Sequence, residues 1–151
     1  MRRRRSKKKG GPERQALGRS KGGFTTKIHA VVDALGNPLE FVLTAGQVHD
    51  STQAAILVAP YPAEAVIADK AYDSEQFISL LHDLNILAVI PNRKNRKEPR
   101  AFDACRYKER HLVECLFNKL KYFRRVFSRF DKFAKRYMSF LQFAASILWL
   151  K

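Results

Sequence analysis

The chain has 151 residues, of which 46% are hydrophobic, and it carries a formal net charge of +15 with a pI of about 10.2. This length suits one domain with its own core, and the apolar content excludes a chain that is disordered throughout. The charge indicates a polyanionic partner, with nucleic acid as the first candidate and an anionic membrane surface as the second.

A basic flexible arm is predicted at residues 1–23, ahead of a folded domain at 24–151. The arm carries ten Arg or Lys side chains against Glu13 alone. Such a block of like charge cannot bury itself, and both a solvated tail and a working phosphate-binding arm are compatible with it.

An antiparallel hairpin is predicted next. Residues 24–33 alternate between apolar and polar side chains, as in a half-buried strand, and His29 falls on the polar face as a solvated or packed residue. Residues 34–38 form a turn cluster with Gly and Pro, and residues 39–44 form the second strand.

Two short helices are predicted downstream. Each has an Asp directly before its first residue and a Gln three residues after that Asp, which is the pattern of a capping box. They are 51–58 with Asp50 and Gln53, and 74–84 with Asp73 and Gln76. Continuous apolar runs at 64–68 and 86–90 predict strands buried on both faces. The order of elements predicts an α/β fold with two parallel strands joined by a crossover, followed by a basic loop at 92–102.

A helix is predicted from Tyr107 to Lys121, within a long helical region that reaches the C-terminus and is interrupted around residues 130–133. At about 100° per residue, Tyr107, Arg110, Glu114 and Lys121 share a stripe about 60° wide. The opposite side is apolar, so the helix can bury it and present Glu114, flanked by cations, to a polyanion.

Asp69, at the end of the 64–68 strand, is predicted to converge with Glu114 because ligands gather beyond the carboxyl ends of strands in such folds. Two carboxylates suit a divalent ion such as Mg²⁺. The alternatives are a capping or loop role for Asp69 and an ion pair between Glu114 and Arg110.

The last part of the chain is basic and aromatic. Its cations form either a solvated face or a surface that follows DNA phosphates, and its aromatic residues are predicted to be core. The apolar run 138–150 is shorter than the roughly 20 residues of a membrane span, so it is predicted to be a buried helix. Cys105 and Cys115 form no disulfide framework and are predicted to be reduced thiols in a cytoplasm.

The spacing Y-x2-R-x3-E-x6-K from Tyr107 to Lys121 resembles that of DDE transposases from bacterial insertion sequences of the fourth and fifth insertion-sequence families. The stretches 18–30, 43–51 and 68–74 resemble further blocks of this family, and the likeness covers residues 11–150. It implies a ribonuclease H-like α/β fold, with a mixed sheet that is flanked by helices and lacks its first strand, and with a long C-terminal helical region.

By this resemblance Asp69 and Glu114 are the second and third catalytic acids and bind Mg²⁺ or Mn²⁺. Lys121 is implied to contact DNA phosphate near the transposon end, and Arg110 to hold a phosphate or to orient Glu114. The predicted DNA-binding residues are Tyr107, Arg110, Lys119, Lys121, Arg124 and Arg125.

The family's first catalytic aspartate has no counterpart here. It lies on the first strand, upstream of the Gly-rich stretch, whereas residues 1–23 contain no aspartate and neither Asp33 nor Asp50 occupies the matching position. The chain is therefore expected to be the downstream part of a transposase, with weak Mg²⁺ binding and little or no strand cleavage alone. The unfilled sheet position beside the 24–32 strand is expected to favour aggregation or pairing with a partner.

The complete enzyme is expected to cleave and rejoin DNA by metal-assisted attack of water, and then of a 3′-hydroxyl, on phosphodiesters. Its expected partners are double-stranded DNA at transposon ends and target, the upstream transposase fragment, and further copies of itself on DNA, in the bacterial cytoplasm at the nucleoid and without a membrane partner. One alternative is a non-catalytic DNA-binding regulator or inhibitor of transposition. Another is a basic structural component of a ribonucleoprotein.

Overall fold

The computed structural model describes residues 15–20 and 23–150, which form a mixed α/β structure. The strands are β1 (Gly18–Ser20), β2 (Gly23–Val32), β3 (Pro38–Ala45), β4 (Ala65–Ile67) and β5 (Leu87–Val89). The helices are α1 (Ser51–Val58), α2 (Glu75–Asp83), α3 (Ala104–Tyr107), α4 (His111–Lys121), α5 (Arg124–Phe127) and α6 (Ala134–Trp149), with 3-10 turns at Lys70–Tyr72 and Lys108–Arg110.

The five strands lie in two sheets. Strands β1, β2 and β3 form an antiparallel sheet in that order, and β4 pairs in parallel with β5 through a crossover that contains α2. The predicted hairpin and parallel pair are confirmed, but no strand of the described residues joins the two sheets into a single mixed sheet. On the edge away from β3, β2 pairs with β1 only at residues 23–25, so the described part of the chain leaves the edge at 26–32 without a neighbouring strand.

Strand β1 was not predicted, because it lies inside the segment assigned to the basic arm. It pairs with the first residues of β2, with Arg19 opposite Phe24. Residues 1–14 and 21–22 of the predicted arm lie outside the described residues. The flexibility of the arm and its binding to phosphate therefore stay predictions.

Two apolar clusters form the core. The larger one packs Ile28, Ala30 and Val32 of β2 against α4 and α6, as the alternating pattern predicted, around the buried residues Phe41, Leu116, Leu120, Val126, Leu141, Ala144 and Ala145. The smaller one joins α1, α2 and the end of β5 through Ala54, Val58, Phe77, Leu81 and Ile90. Strand β4 is only half-buried, and Leu87 of β5 is exposed, so the prediction of strands buried on both faces is wrong.

Neither predicted capping box forms, although both helices lie where they were predicted. Asp50 makes no capping hydrogen bond and instead accepts one from Lys27 Nζ at 2.8 Å. Ser74 caps α2 by accepting a hydrogen bond from Phe77 N at 3.4 Å, whereas Asp73 is buried against basic side chains. Both carboxylates thus have cationic donors from distant parts of the chain in place of the predicted caps, and both partners of these bonds are charged.

The C-terminal region is helical but divided. The predicted interruption at 130–133 is confirmed within a break at 128–133, and a second break separates α4 from α5 at residues 122–123. Among the described residues, no helix has the length and apolar character needed to cross a bilayer.

Arg129 connects the break before α6 to the start of the described chain. Its guanidinium donates to the carbonyl oxygens of Gln15 and Asp131 and to the hydroxyl of Thr26. It also lies 5.2 Å from the ring centroid of Tyr137 in α6. One side chain therefore holds residue 15, β2 and the 128–133 segment together.

Arg129→Ala is expected to lower the free energy of unfolding by about 2–3 kcal/mol, because charge-assisted hydrogen bonds are lost and their acceptors stay partly buried. Urea denaturation measures the change. Arg136→Ala is the matched control, because the contact described for this exposed side chain is the Phe133 ring at 5.8 Å, worth about 0.5–1 kcal/mol. Equal losses in the two variants would show that Arg129 has no special anchoring role.

Candidate active site

The four motif residues lie on the α3–α4 segment. Tyr107 ends α3, Arg110 lies in the 3-10 turn, and Glu114 and Lys121 belong to α4. The predicted continuous helix is therefore interrupted by a tighter turn at 108–110. The backbone at Tyr107 and Arg110 stays in the right-handed helical region, so the residues keep their predicted order along one face.

Arg110 contacts two other members of the stripe. Its Nη2 donates to Glu114 Oε1 in an i,i+4 ion pair, and its guanidinium lies 5.8 Å from the ring centroid of Tyr107. The Glu114 side chain is 56% exposed, so a ligand can reach this carboxylate from solvent. Lys121 is exposed, and its Nζ donates to Asn118 Oδ1 at 3.2 Å, separately from these contacts.

Asp69 follows β4 and caps the next 3-10 turn, with Oδ1 accepting a hydrogen bond from Ala71 N at 3.0 Å. Its charge also acts on Arg110. Burial lowers the pKa of Arg110, but the hydrogen bond that it donates to Glu114 and the charges around it, including those of Glu114 and Asp69, raise that pKa overall. Glu114 is thus bonded to this guanidinium, whereas Asp69 acts on it only through its charge and performs the capping role that was its alternative.

Asp69 and Glu114 offer the carboxylate oxygens that Mg²⁺ prefers. Within the described ranges, no group of three or more His, Cys, Asp or Glu side chains could hold a metal ion. Asp33 accepts hydrogen bonds from Leu35 N and Asn37 N in the β2–β3 turn, at 2.9 Å each. A divalent ion held by Asp69 and Glu114 would therefore need water or other groups to complete its ligand set.

His29 lies near this site, and the structure shows it to be a packed residue and not a solvated one. It is buried, with its Nδ1 2.9 Å from Tyr72 Oη and its Nε2 2.9 Å from Thr44 Oγ1. Burial, together with the charges of Asp50 and Asp69, raises the pKa of Tyr72 to about 12, so the phenol stays protonated. The hydrogen bond between His29 and Tyr72 ties β2 to the turn that Asp69 caps.

Burial lowers the pKa of His29 below its ordinary 6.5, a direction that Asp50 opposes and Lys27 favours. The unfolded chain therefore binds a proton at a pH where the folded imidazole is still neutral. The contribution of His29 to stability is full above pH 6.5 and falls as the pH drops from there toward the folded pKa.

Urea denaturation at a series of pH values checks this dependence. His29→Gln is expected to remove the stability loss below pH 6.5. His82→Gln, at a side chain 89% exposed, is expected to retain it. If the unfolding free energy of the His29 variant fell below pH 6.5 as steeply as that of the wild type, another group would cause the pH dependence.

The remaining predicted DNA-binding cations are exposed and follow one another along α4 and α5. Lys119 lies on α4, Arg124 lies 5.8 Å from the ring centroid of Phe130, and Arg125 lies 4.2 Å from that of Phe140. None of the three forms an ion pair within the part of the chain that the structure describes. Their positive charge is therefore available to a polyanion.

Comparison with known proteins agrees with the motif. The family model for the transposase DDE domain matches residues 1–148. A protein of Brucella ovis, named as a transposase for insertion sequence element IS6501, is 40% identical over 130 residues, which are 85% of this chain and 100% of that protein. A protein of Burkholderia cepacia, named as a transposase for insertion sequence element IS402, is 31% identical over 135 residues, which are 82% of this chain and 62% of that protein.

No solved structure matches the chain significantly. The family model nevertheless covers nearly all of the sequence, and the two relatives have names of the same kind. Their agreement with the motif from Tyr107 to Lys121 shows that the chain belongs to the DDE transposases of insertion sequences, a family of DNA transposases.

Proposed function

We propose that Asp69 and Glu114 are two of the acids in a site for metal-dependent DNA cleavage and strand transfer during transposition. The ion pair between Glu114 and Arg110, together with the effect of the Asp69 charge on the same guanidinium, supports this proposal most directly. Asp69 comes from the end of a strand and Glu114 from a helix, so a tertiary arrangement, and not local spacing, brings their charges together.

Each residue of this site has a proposed part. Asp69 and Glu114 hold Mg²⁺ or Mn²⁺, and such an ion supplies activation of an attacking oxygen and stabilisation of a leaving oxygen in phosphodiester chemistry. Arg110 orients the Glu114 carboxylate and can turn to a DNA phosphate when that carboxylate binds metal. The proposed contacts to double-stranded DNA at transposon ends and target are Tyr107, Arg110, Lys119, Lys121, Arg124 and Arg125.

The proposed arrangement of the complete domain is ribonuclease H-like. Among the described residues, the edge of β2 at 26–32 has no neighbouring strand. This edge supports the ribonuclease H-like arrangement, since a strand from the upstream transposase fragment could pair there. That fragment would bring the acid that the described residues lack, and a homo-oligomer would assemble on DNA.

A DNA-binding regulator of transposition is a second candidate, favoured by the small number of acids at the site. Asp33 is occupied in a turn and Asp50 is paired with Lys27. A chain with two acids could occupy transposon ends or enter mixed oligomers without cutting DNA. The ribonucleoprotein alternative stays a prediction, and it gives Asp69 and Glu114 no role.

The test is Mn²⁺-dependent nicking of a supercoiled plasmid by this chain, alone and with the polypeptide encoded immediately upstream. The enzyme proposal predicts nicking by the mixture and little by the chain alone. The regulator proposal predicts that DNA is bound but not nicked in both samples, and that the chain inhibits a complete transposase. Preference for RNA over duplex DNA, with no nicking, would favour the ribonucleoprotein alternative and contradict the enzyme proposal.

A further inference from the structure

The basic loop at residues 92–100 is organised around one buried carboxylate. The Asp73 side chain is 1% exposed and accepts hydrogen bonds from Arg93 N at 2.8 Å, from Arg96 Nη1 at 2.7 Å and from Arg100 Nη2. Asn92 closes the loop by donating to Arg100 O at 2.7 Å and accepting from Arg100 N at 3.1 Å. A loop without regular secondary structure is thus held at both ends and in its middle.

The same loop rests on the turn that carries Asp69. Arg93 donates through Nε to Lys70 O at 3.2 Å and through Nη2 to Ala71 O at 2.6 Å. Both acceptors lie in the 3-10 turn that Asp69 caps. The loop is therefore held against the turn that follows one acid of the proposed active site.

The charges of the loop are only partly neutralised. Arg96 and Arg100 bind two carboxylates, those of Asp73 and Glu75. Arg93 has only carbonyl acceptors for its guanidinium among the described contacts. The loop's other charged side chains are exposed and form no ion pair within the described ranges: Lys94, Lys97 and Glu98.

We propose that the 92–100 loop is a preformed DNA-phosphate site, in which Asp73 is the internal anchor and Lys94 and Lys97 contact the backbone. This inference rests on the proposed function and extends its DNA surface from α4 to the loop that rests on the turn capped by Asp69. An anchored loop loses little conformational entropy when it binds, and a flexible lysine stem suits an irregular phosphate path. An open cleft lies between this loop and residues 73–75, and it gives the DNA backbone room to approach.

The slope of DNA affinity against salt concentration tests the site, because each phosphate contact that is lost reduces the slope by about one. The full chain is titrated with a short DNA duplex of arbitrary sequence. Lys94→Ala with Lys97→Ala is expected to flatten the slope by about two. Both side chains are exposed, so the fold is expected to persist. Replacing both by Arg, which keeps the charge, is expected to preserve the slope.

A matched control removes two exposed lysines elsewhere, through Lys132→Ala with Lys135→Ala. A wild-type slope in the loop variant would overturn the inference, and so would equal flattening in loop and control variants. If the wild-type chain did not bind DNA at all, the proposed function itself would fail. If the wild-type chain binds DNA but the loop variant keeps the wild-type salt slope, only the loop site is rejected.

Discussion

If the proposed site is correct, Glu114→Gln reduces Mn²⁺-dependent nicking at least about 100-fold in the mixture of this chain with the polypeptide encoded immediately upstream. Loss of groups that merely support metal ligands commonly lowers activity about 10–100-fold, so loss of a direct ligand is expected to do more. The amide keeps the shape of the side chain and can still accept a hydrogen bond from Arg110. Since Glu114 is 56% exposed, the fold is expected to be unaffected. Plasmid nicking measures the change.

Glu109→Gln is the matched control, because it makes the same change at an exposed carboxylate of the same segment. It is expected to leave nicking within about twofold, and both variants are expected to bind DNA at least as well as wild type, since a negative charge near a polyanion is removed. Full nicking by the Glu114 variant would exclude this residue from the site. Equal losses in both variants would indicate a general effect of charge.

Asp73→Ala is expected to lower the free energy of unfolding by about 3–5 kcal/mol, because it removes the buried carboxylate that Arg96 and Arg100 share and leaves Arg96 with the exposed Glu75 as its only described carboxylate partner. Arg96 is 11% exposed and Arg100 28% exposed, so water replaces the carboxylate poorly. For a chain of this length, the midpoint of thermal unfolding should fall by roughly 10 °C. Urea and thermal denaturation measure both quantities.

Asp83→Ala provides the control for this change. The Asp83 side chain, at the end of α2, is 77% exposed and its described partner is His82 at 3.8 Å. Its removal is expected to change the unfolding free energy by no more than about 0.5 kcal/mol. A similarly small effect of Asp73→Ala would show that the arginines of the 92–100 loop do not depend on this carboxylate.

Local patterns in the chain predicted most of the elements. The alternation in β2 identified its core face, and the spacing along Tyr107–Lys121 placed Arg110 beside Glu114 and turned Leu116 and Leu120 into the core. These predictions succeed because i,i+2 and i,i+4 relations follow from backbone geometry alone. Family membership was likewise predictable, since the motif and its neighbouring blocks are features of sequence.

The partners of individual acids were harder to predict. The sequence offered Asp50 and Asp73 as helix caps, but Lys27 and the 92–100 arginines, twenty or more residues away in the chain, bind them instead. The basic run at 92–100 was visible, although nothing in it identified Asp73 as its anchor. Folding brings these charged donors close to the carboxylates, and such proximity produces no periodic pattern in the sequence.

Residue order along the chain was therefore enough for the element order, the helical stripe and the family. The tertiary structure alone determined that the charge of Asp69 acts on Arg110, that His29 is buried beside Tyr72 and that Arg129 holds residue 15 against β2. These interactions join residues between 41 and 114 positions apart. Their existence depends on how strands and helices pack, and hydrophobic burial drives that packing without specifying in advance which polar groups will meet.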